Sequence, residues 1–256
     1  MNGRQQDISI EELKQKQIEH QKRNLGSISS IAYEGNLFHD YFRTIPFART
    51  AALLNQHNVD LNEKKVLIIS CGTGIDVYYL RRYYPNAIFS VCDLSEIAVR
   101  IATSTLQVEG SAEDSENLSY ADQEFDYCFV AASLHHLPRP WMGLYEMIRV
   151  SRYGAIVIEP NDSLLTRFAT ALGLATEVEP SGNYVFRVGK SDVEKISRSL
   201  FYRCITSRYF AIHRVANSYP EFLFLKVLNH LSNMIAPSQG NYISIAILKD
   251  VGQRTR

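Results

Sequence analysis

The chain carries no excess of charge of either sign: lysine plus arginine and aspartate plus glutamate each number 27 in 256 residues. A protein specialised for gripping nucleic-acid backbone usually carries a basic surplus, so this balance argues against DNA or structured RNA as the partner. Cysteine is scarce. The four, Cys71, Cys92, Cys128 and Cys204, are widely spaced and form no Cys-x-x-Cys pair. That argues against a disulfide framework or a cysteine zinc site and leaves reduced thiols packed as small hydrophobes. Met1 to Asp7 is polar, without the apolar core of a signal peptide. No uninterrupted apolar stretch approaches the roughly 20 residues that cross a bilayer. A cytoplasmic protein without a transmembrane segment is expected. Internal repeats and low-complexity linkers are missing too.

What is present is the composition of an ordinary globular chain, 46% hydrophobic and 21% charged, long enough for one domain or one domain with a cap. Ile10 to Asn24 predicts an exposed helix, with Ser9 as N-cap and Glu12 completing a capping box. An aromatic stretch, Gly26 to Pro46, leads to an amphipathic helix over Phe47 to His57. From Lys65 the pattern changes. Val66 to Ile69 is a short continuous apolar run, as expected of a strand buried on both faces. Ala87 to Cys92 (ending at Asp93), Leu106 to Glu109, Phe125 to Ala131 and Ala155 to Ile158 predict further strands. Helices over Asp76 to Tyr84, Glu96 to Leu106 and Trp141 to Val150 alternate with them, which implies a parallel sheet covered on both faces. The tail adds a helix, Ser191 to Leu200, with Ser191 as N-cap and Glu194 completing a box. It continues with a strand over Cys204 to Ile212, an apolar helix over Pro220 to Ile235 and an alternating strand over Tyr242 to Leu248.

The chemistry centres on Ser70-Cys71-Gly72-Thr73-Gly74, set between a buried strand and a helix. Glycines there let the backbone turn tightly and let a ligand approach the main chain, while the helix N-terminus offers N–H groups to its polar parts. Asp93, about 20 residues on at the end of the second strand, can take both hydroxyls of a ribose. With these features the sequence resembles the class I S-adenosylmethionine-dependent methyltransferases, especially the group acting on small molecules, over roughly Lys65 to Asn161. Cys71 to Gly74 resembles the family's glycine motif and Asp93 its ribose-binding acid, with Leu94 beside the adenine. Gly110-Ser111-Ala112-Glu113 resembles the adenine-amino segment, Phe125 to Val130 followed by Leu134-His135-His136-Leu137 the fourth strand and its exit, and Arg149 to Pro160 the approach to the fifth strand. The resemblance implies S-adenosyl-L-methionine as cofactor, held by Tyr33, Ser70, Cys71, Gly72, Thr73, Gly74, Asp93, Leu94, Ala112, Glu113 and Ser133. It implies a Rossmann-like, doubly wound, seven-stranded and mostly parallel α/β sheet with an N-terminal helical lid. The lid would occupy residues 1–60 and the core 61–256, with substrate-pocket insertions at about 161–190 and 213–240.

The sequence departs from the family where Ile68 stands for a common acid, Ser70 for a common glycine and Ser111 for an adenine-side aspartate. Asp76 either compensates for the first or simply favours the start of its helix; Glu113 or Asp114 can cover for the last. His135 and His136, at a strand exit, can serve as general base or merely shape the pocket. Glu159 can bind or deprotonate the acceptor, or cap a helix. His39, Tyr184 and Arg187 are the candidate substrate contacts, against ordinary packing and a surface hairpin. The 220–235 helix reads as core, as a homodimer contact or as a dock for a lipid-linked substrate. The expected function is methyl transfer to an oxygen, nitrogen or carbon of a small molecule. The alternative is a cofactor-binding protein of the same fold that transfers no methyl, a natural-product cyclase or scaffold.

Overall fold

A computed structural model describes residues 9–25, 37–179, 182–212 and 216–249. The apolar runs become strands of one sheet: β1 (Lys65–Ile68), β2 (Ile88–Asp93), β3 (Glu109–Ala112), β4 (Phe125–Ala131), β5 (Ser151–Pro160), β6 (Arg203–Tyr209) and β7 (Tyr242–Leu248). Their order is β3-β2-β1-β4-β5-β7-β6. Pairing is parallel from β3 through to β5, and β7 runs antiparallel to both β5 and β6.

The helices are α1 (Ile10–Leu25), α2 (Leu37–Gln56), α3 (Ile75–Leu80), α4 (Glu96–Leu106), α5 (Pro140–Val150), α6 (Leu164–Ala171), α7 (Lys190–Ser199) and α8 (Tyr219–Ile235). Successive strand residues point to opposite faces. Ile68, Phe129, Ile156 and Ala246 thus meet Leu54 of α2, Tyr79 of α3 and Ala102 of α4 on one side. Leu67, Cys128, Ala155 and Ile245 meet Leu144 and Met147 of α5 and Val193 of α7 on the other. This two-sided burial is why the central strands carry continuous apolar runs. The strand order reverses at β1 and β4, and in open α/β sheets the crevice beyond the carboxyl ends at such a point is the ligand site.

Several boundaries differ from expectation for identifiable reasons. The second helix starts ten residues earlier than Phe47 and runs through Pro46. Burial of Phe42, Phe47, Leu53 and Leu54 outweighs the backbone hydrogen bond a helical proline forfeits, and Thr50 Oγ1 donates to the Pro46 carbonyl at 2.8 Å. The third strand is Glu109–Ala112 rather than Leu106 to Glu109, because Leu106 finishes α4 and Gln107 caps it in the left-handed region. The capping box at Ser191 is not formed: α7 starts at Lys190, with Gly189 as N-cap. The box at Ser9 is formed, Glu12 N–H donating to Ser9 Oγ at 3.2 Å and Ser9 N–H to Glu12 Oε2 at 2.8 Å. Helix α8 buries only Leu225 and Asn229 and leaves Leu223, Phe224, Val227 and Leu231 exposed, which corrects the reading of it as a core helix. Among the described residues no helix is long and apolar enough to cross a membrane.

Candidate active site

The turn after β1 takes the backbone through Ser70 at φ +48°, Gly72 at +53° and Gly74 at +88°. The left-handed conformation of Ser70 explains why a glycine suits that position; here a serine occupies it and its Oγ lies 3.0 Å from Ser115 Oγ. A Cβ on Gly74 would sit 2.3 Å from Leu106 Cδ1 and 3.1 Å from Ala102 Cβ, so only glycine lets α3 start this close to α4. A Cβ on Gly72 would meet nothing within 4 Å. Asp93, 1% exposed, ties the turn to the end of β2: its Oδ2 accepts the Gly72 N–H and its Oδ1 the Ser95 N–H, both at 2.9 Å. A carboxylate oxygen accepts more than one hydrogen bond, so Asp93 keeps capacity for a ligand hydroxyl.

Beside this turn lies a cavity of about 530 Å³, within the usual range for small-molecule sites. Ser70, Asp93, Leu94, Ser133 and His136, all expected from the sequence, line it together with Lys14, Gln17, Arg43, Asp114, Ser115 and Glu179. Helix α1 crosses this cavity rather than standing free in solvent. Lys14, 8% exposed, pairs with Asp114 at 2.6 Å and Glu116 at 3.2 Å, and Gln17 Nε2 donates to the His136 carbonyl. Nothing in the lysine-rich α1 marks Lys14 among its neighbours; only the fold singles it out.

At the exit of β4 the candidate catalytic groups converge. Glu159, completely buried, accepts the Ser133 and Leu134 N–H groups on Oε1 at 2.9 and 2.7 Å and holds His135 Nδ1 with Oε2 at 2.6 Å. His135 Nε2 lies 3.4 Å from Glu179 Oε1, and His136 Nδ1 lies 3.0 Å from Glu179 Oε2. Asn183 Nδ2 adds a contact to His136 Nδ1 at 3.2 Å. Burial depresses the His135 imidazole, but Glu159 and Glu179 more than offset it and raise the group to about 9. The hydrogen bonds from His135 and His136 hold the Glu179 carboxyl well below the usual carboxylate range, against its burial. Sequence reasoning missed Glu179: it is one acid in a loop, with no periodicity to mark it.

Other expected residues are placed apart. Cys71 is buried in the core behind the turn. Ala112 pairs with Asp93 across the sheet, while the Glu113 carboxylate is occupied by Ser119 N–H at 3.0 Å and Ser119 Oγ at 2.6 Å. Asp114, not Glu113, therefore faces the cavity at that position. Ile68 packs in the core, and Asp76 is buried in the first turn of α3, its carboxyl raised to about 7 by burial and by Glu159, with Arg43 opposing. Tyr184 and Arg187 line a separate depression with Asp162 and Arg167, and an Arg187 guanidinium nitrogen donates to the Thr176 carbonyl at 2.6 Å. Tyr33 and the side chain of His39 lie outside the described residues.

The methyltransferase-domain family model matches residues 66–154, the stretch from β1 into β5. The phthiotriol/phenolphthiotriol dimycocerosates methyltransferase of Mycobacterium tuberculosis is 30% identical over 113 residues, which is 41% of this chain and 42% of that protein's length. The fold is shared with a solved S-adenosylmethionine-dependent methyltransferase of Thermotoga maritima, described as a possible histamine N-methyltransferase: TM-score 0.55, 15% identity, 93% of this chain and 98% of that one. It is shared also with the plantazolicin methyltransferase BpumL, solved in complex with a pentazolic desmethylPZN analog and SAH: TM-score 0.55, 18% identity, 94% and 98% covered. Residues 66–154 thus match a methyltransferase domain, and the glycine turn, strand-end aspartate and seven-stranded sheet ending in an antiparallel β7 give the chain the fold of these solved methyltransferases.

Proposed function

We propose that the chain transfers the methyl group of S-adenosylmethionine to a nucleophilic atom of a small molecule, and that the 530 Å³ cavity holds both. One observation carries this reading: Asp93 and Ser70 line the same cavity as His136 and Glu179, so a cofactor bound at the strand ends has proton-accepting groups beside it. The residues fit the cofactor. Asp93 would take the ribose hydroxyls, the space beside Gly72 would admit the methionine portion, and Leu94 with Asp114 would flank the adenine. The bound cofactor supplies an activated methyl group, so the protein's part is positioning and electrostatics. The methyl carbon would leave the cofactor's sulfur and bond to the acceptor's oxygen, nitrogen or carbon, and S-adenosylhomocysteine would be the leaving product. The acceptor's proton passes to His136, whose imidazole faces the cavity and is coupled to Glu179. Buried His135 and Glu159 are positioning residues: Glu159 fixes the β4 exit through the Ser133 and Leu134 N–H groups.

The N-terminal segment is the lid in this reading. Its α1 is already seated over the cavity by Lys14 and Gln17. The exposed apolar row of α8 would serve a second copy of the chain, which sedimentation across a concentration series reads directly. The acceptor named for the mycobacterial relative, a phthiotriol or phenolphthiotriol dimycocerosate, is the first to screen. The test is transfer of isotope-labelled methyl from the cofactor to such an acceptor. His136→Ala should lower kcat by about 10²-fold or more, the size of a general-base contribution, with cofactor affinity kept. Unchanged kcat would remove His136 from the reaction.

A further inference from the structure

We propose that His135, His136 and Glu179 form a binding site for one divalent transition-metal ion, of the zinc type, with its open coordination position facing the cavity. Three ligand atoms of these residues lie within 4.8 Å of one another. The separations of His135 Nε2 from Glu179 Oε1, 3.4 Å, and of His136 Nδ1 from Glu179 Oε2, 3.0 Å, bracket the spacing of tetrahedral ligands. Donors bound to zinc at about 2.0–2.1 Å sit roughly 3.3 Å apart. Two imidazoles and one carboxylate suit zinc and its first-row neighbours, and three protein ligands with one position left open is the pattern of catalytic zinc sites.

The surroundings support the same reading independently. A metal-ligating histidine generally gives its other ring N–H to a carboxylate, which fixes the tautomer and aims the ring. Glu159 does this for His135: it takes Nδ1 at 2.6 Å, is completely buried, and is itself held by the Ser133 and Leu134 N–H groups. That leaves Nε2 directed at Glu179. A simple ion pair between Glu179 and His136 would need neither the second imidazole nor the buried carboxylate behind it. Glu159 and Glu179 bring two carboxylates to the histidine pair, a charge that a divalent cation can balance in place of an imidazole proton. One competing contact is present, Asn183 Nδ2 at 3.2 Å from His136 Nδ1, and the amide must turn aside when the metal binds. His136 and Glu179 both line the cavity, so the open position faces the space assigned to the acceptor, and His136 serves as proton acceptor only while its Nδ1 is not on the metal. The ion displaces the proton shared in the cluster, and metal affinity therefore rises with pH.

The test uses the full chain without cofactor, so its outcome is separate from that of methyl transfer. Calorimetric titration with zinc should show one ion bound per chain. Cobalt(II) substituted at the site should give the intense visible absorption of a tetrahedral ion. His136→Ala and Glu179→Gln should each weaken zinc binding by about tenfold or more, Glu159→Gln by a similar factor because it no longer fixes the His135 ring, and Asn183→Ala should leave it equal or tighter. Folding of each variant is checked by its circular dichroism and melting. Absence of zinc binding in the wild-type chain overturns the proposal while leaving the methyl-transfer reading standing. So does binding that persists unchanged in both His136→Ala and Glu179→Gln, since the metal would then sit on other groups such as the cysteines. Should His136→Ala fail to fold, His136→Gln and the cobalt spectrum of the wild type decide the matter.

Discussion

At the residue scale the departures from the glycine-turn pattern are Ile68, Ser70 and a buried acid at Asp76. Ile68 is packed in the core where relatives commonly carry a carboxylate, while Asp76 is buried a few residues on, with a carboxyl raised to about 7 by burial and by Glu159, and opposed by Arg43. A folded-state value above that of the unfolded chain means the native state binds the extra proton between about pH 4 and 7. Asp76 therefore costs no stability below that window, and its cost grows as pH rises through it. Asp76→Asn should melt increasingly higher than the wild type from pH 4 to pH 8, by roughly 2 °C or more at the upper end; parallel melting curves would show that Asp76 stays ionised in the fold. Residues whose chemistry speaks locally were readable from the sequence: Asp93 by its place at a strand end, Ser70 to Gly74 by the glycine turn, His135 and His136 by the β4 exit. Lys14 and Glu179 were not, because each acquires its meaning only from partners far along the chain, Asp114 and Glu116 for the one, the histidine pair for the other.

Among the elements, those that bury both faces announced themselves. The strands Phe125–Ala131 and Tyr242–Leu248 agree with the sequence to the residue, since continuous or alternating apolar runs survive any context. β3 did not, being a four-residue edge strand with a largely exposed face and no pattern beyond its pairing with β2. Pro46 likewise argued for a helix boundary that tertiary packing overrode. Two elements carry specific expectations. Gly74→Ala should destabilise the fold by about 1–3 kcal/mol through the collision with Leu106 and Ala102. The urea midpoint reads this, and an unchanged midpoint would mean α3 and α4 are free to part. Lys14→Ala removes the buried anchor of α1 on the Asp114–Glu116 pair, taking the lysine from Asp114 while Glu116 keeps Arg139 at 2.8 Å. It should speed amide exchange across α1 by about tenfold or more while the sheet stays protected. Exchange unchanged in α1 would mean that the helix is held by its other contacts.

For the whole molecule, the reversal of strand order at β1 and β4 determines where everything else must gather. The glycine turn, the Asp93 strand end and the His135–His136 exit are far apart in sequence and converge because each ends a neighbouring parallel strand. α1 then closes over them. The central claim is that this convergence is an S-adenosylmethionine site. Calorimetric titration of S-adenosylhomocysteine into the wild-type chain and Asp93→Ala tests it most directly. One molecule bound per chain in the micromolar range or tighter, lost in Asp93→Ala with the fold intact, is the expected result. Equal binding by the variant, or no binding by the wild type, would contradict it.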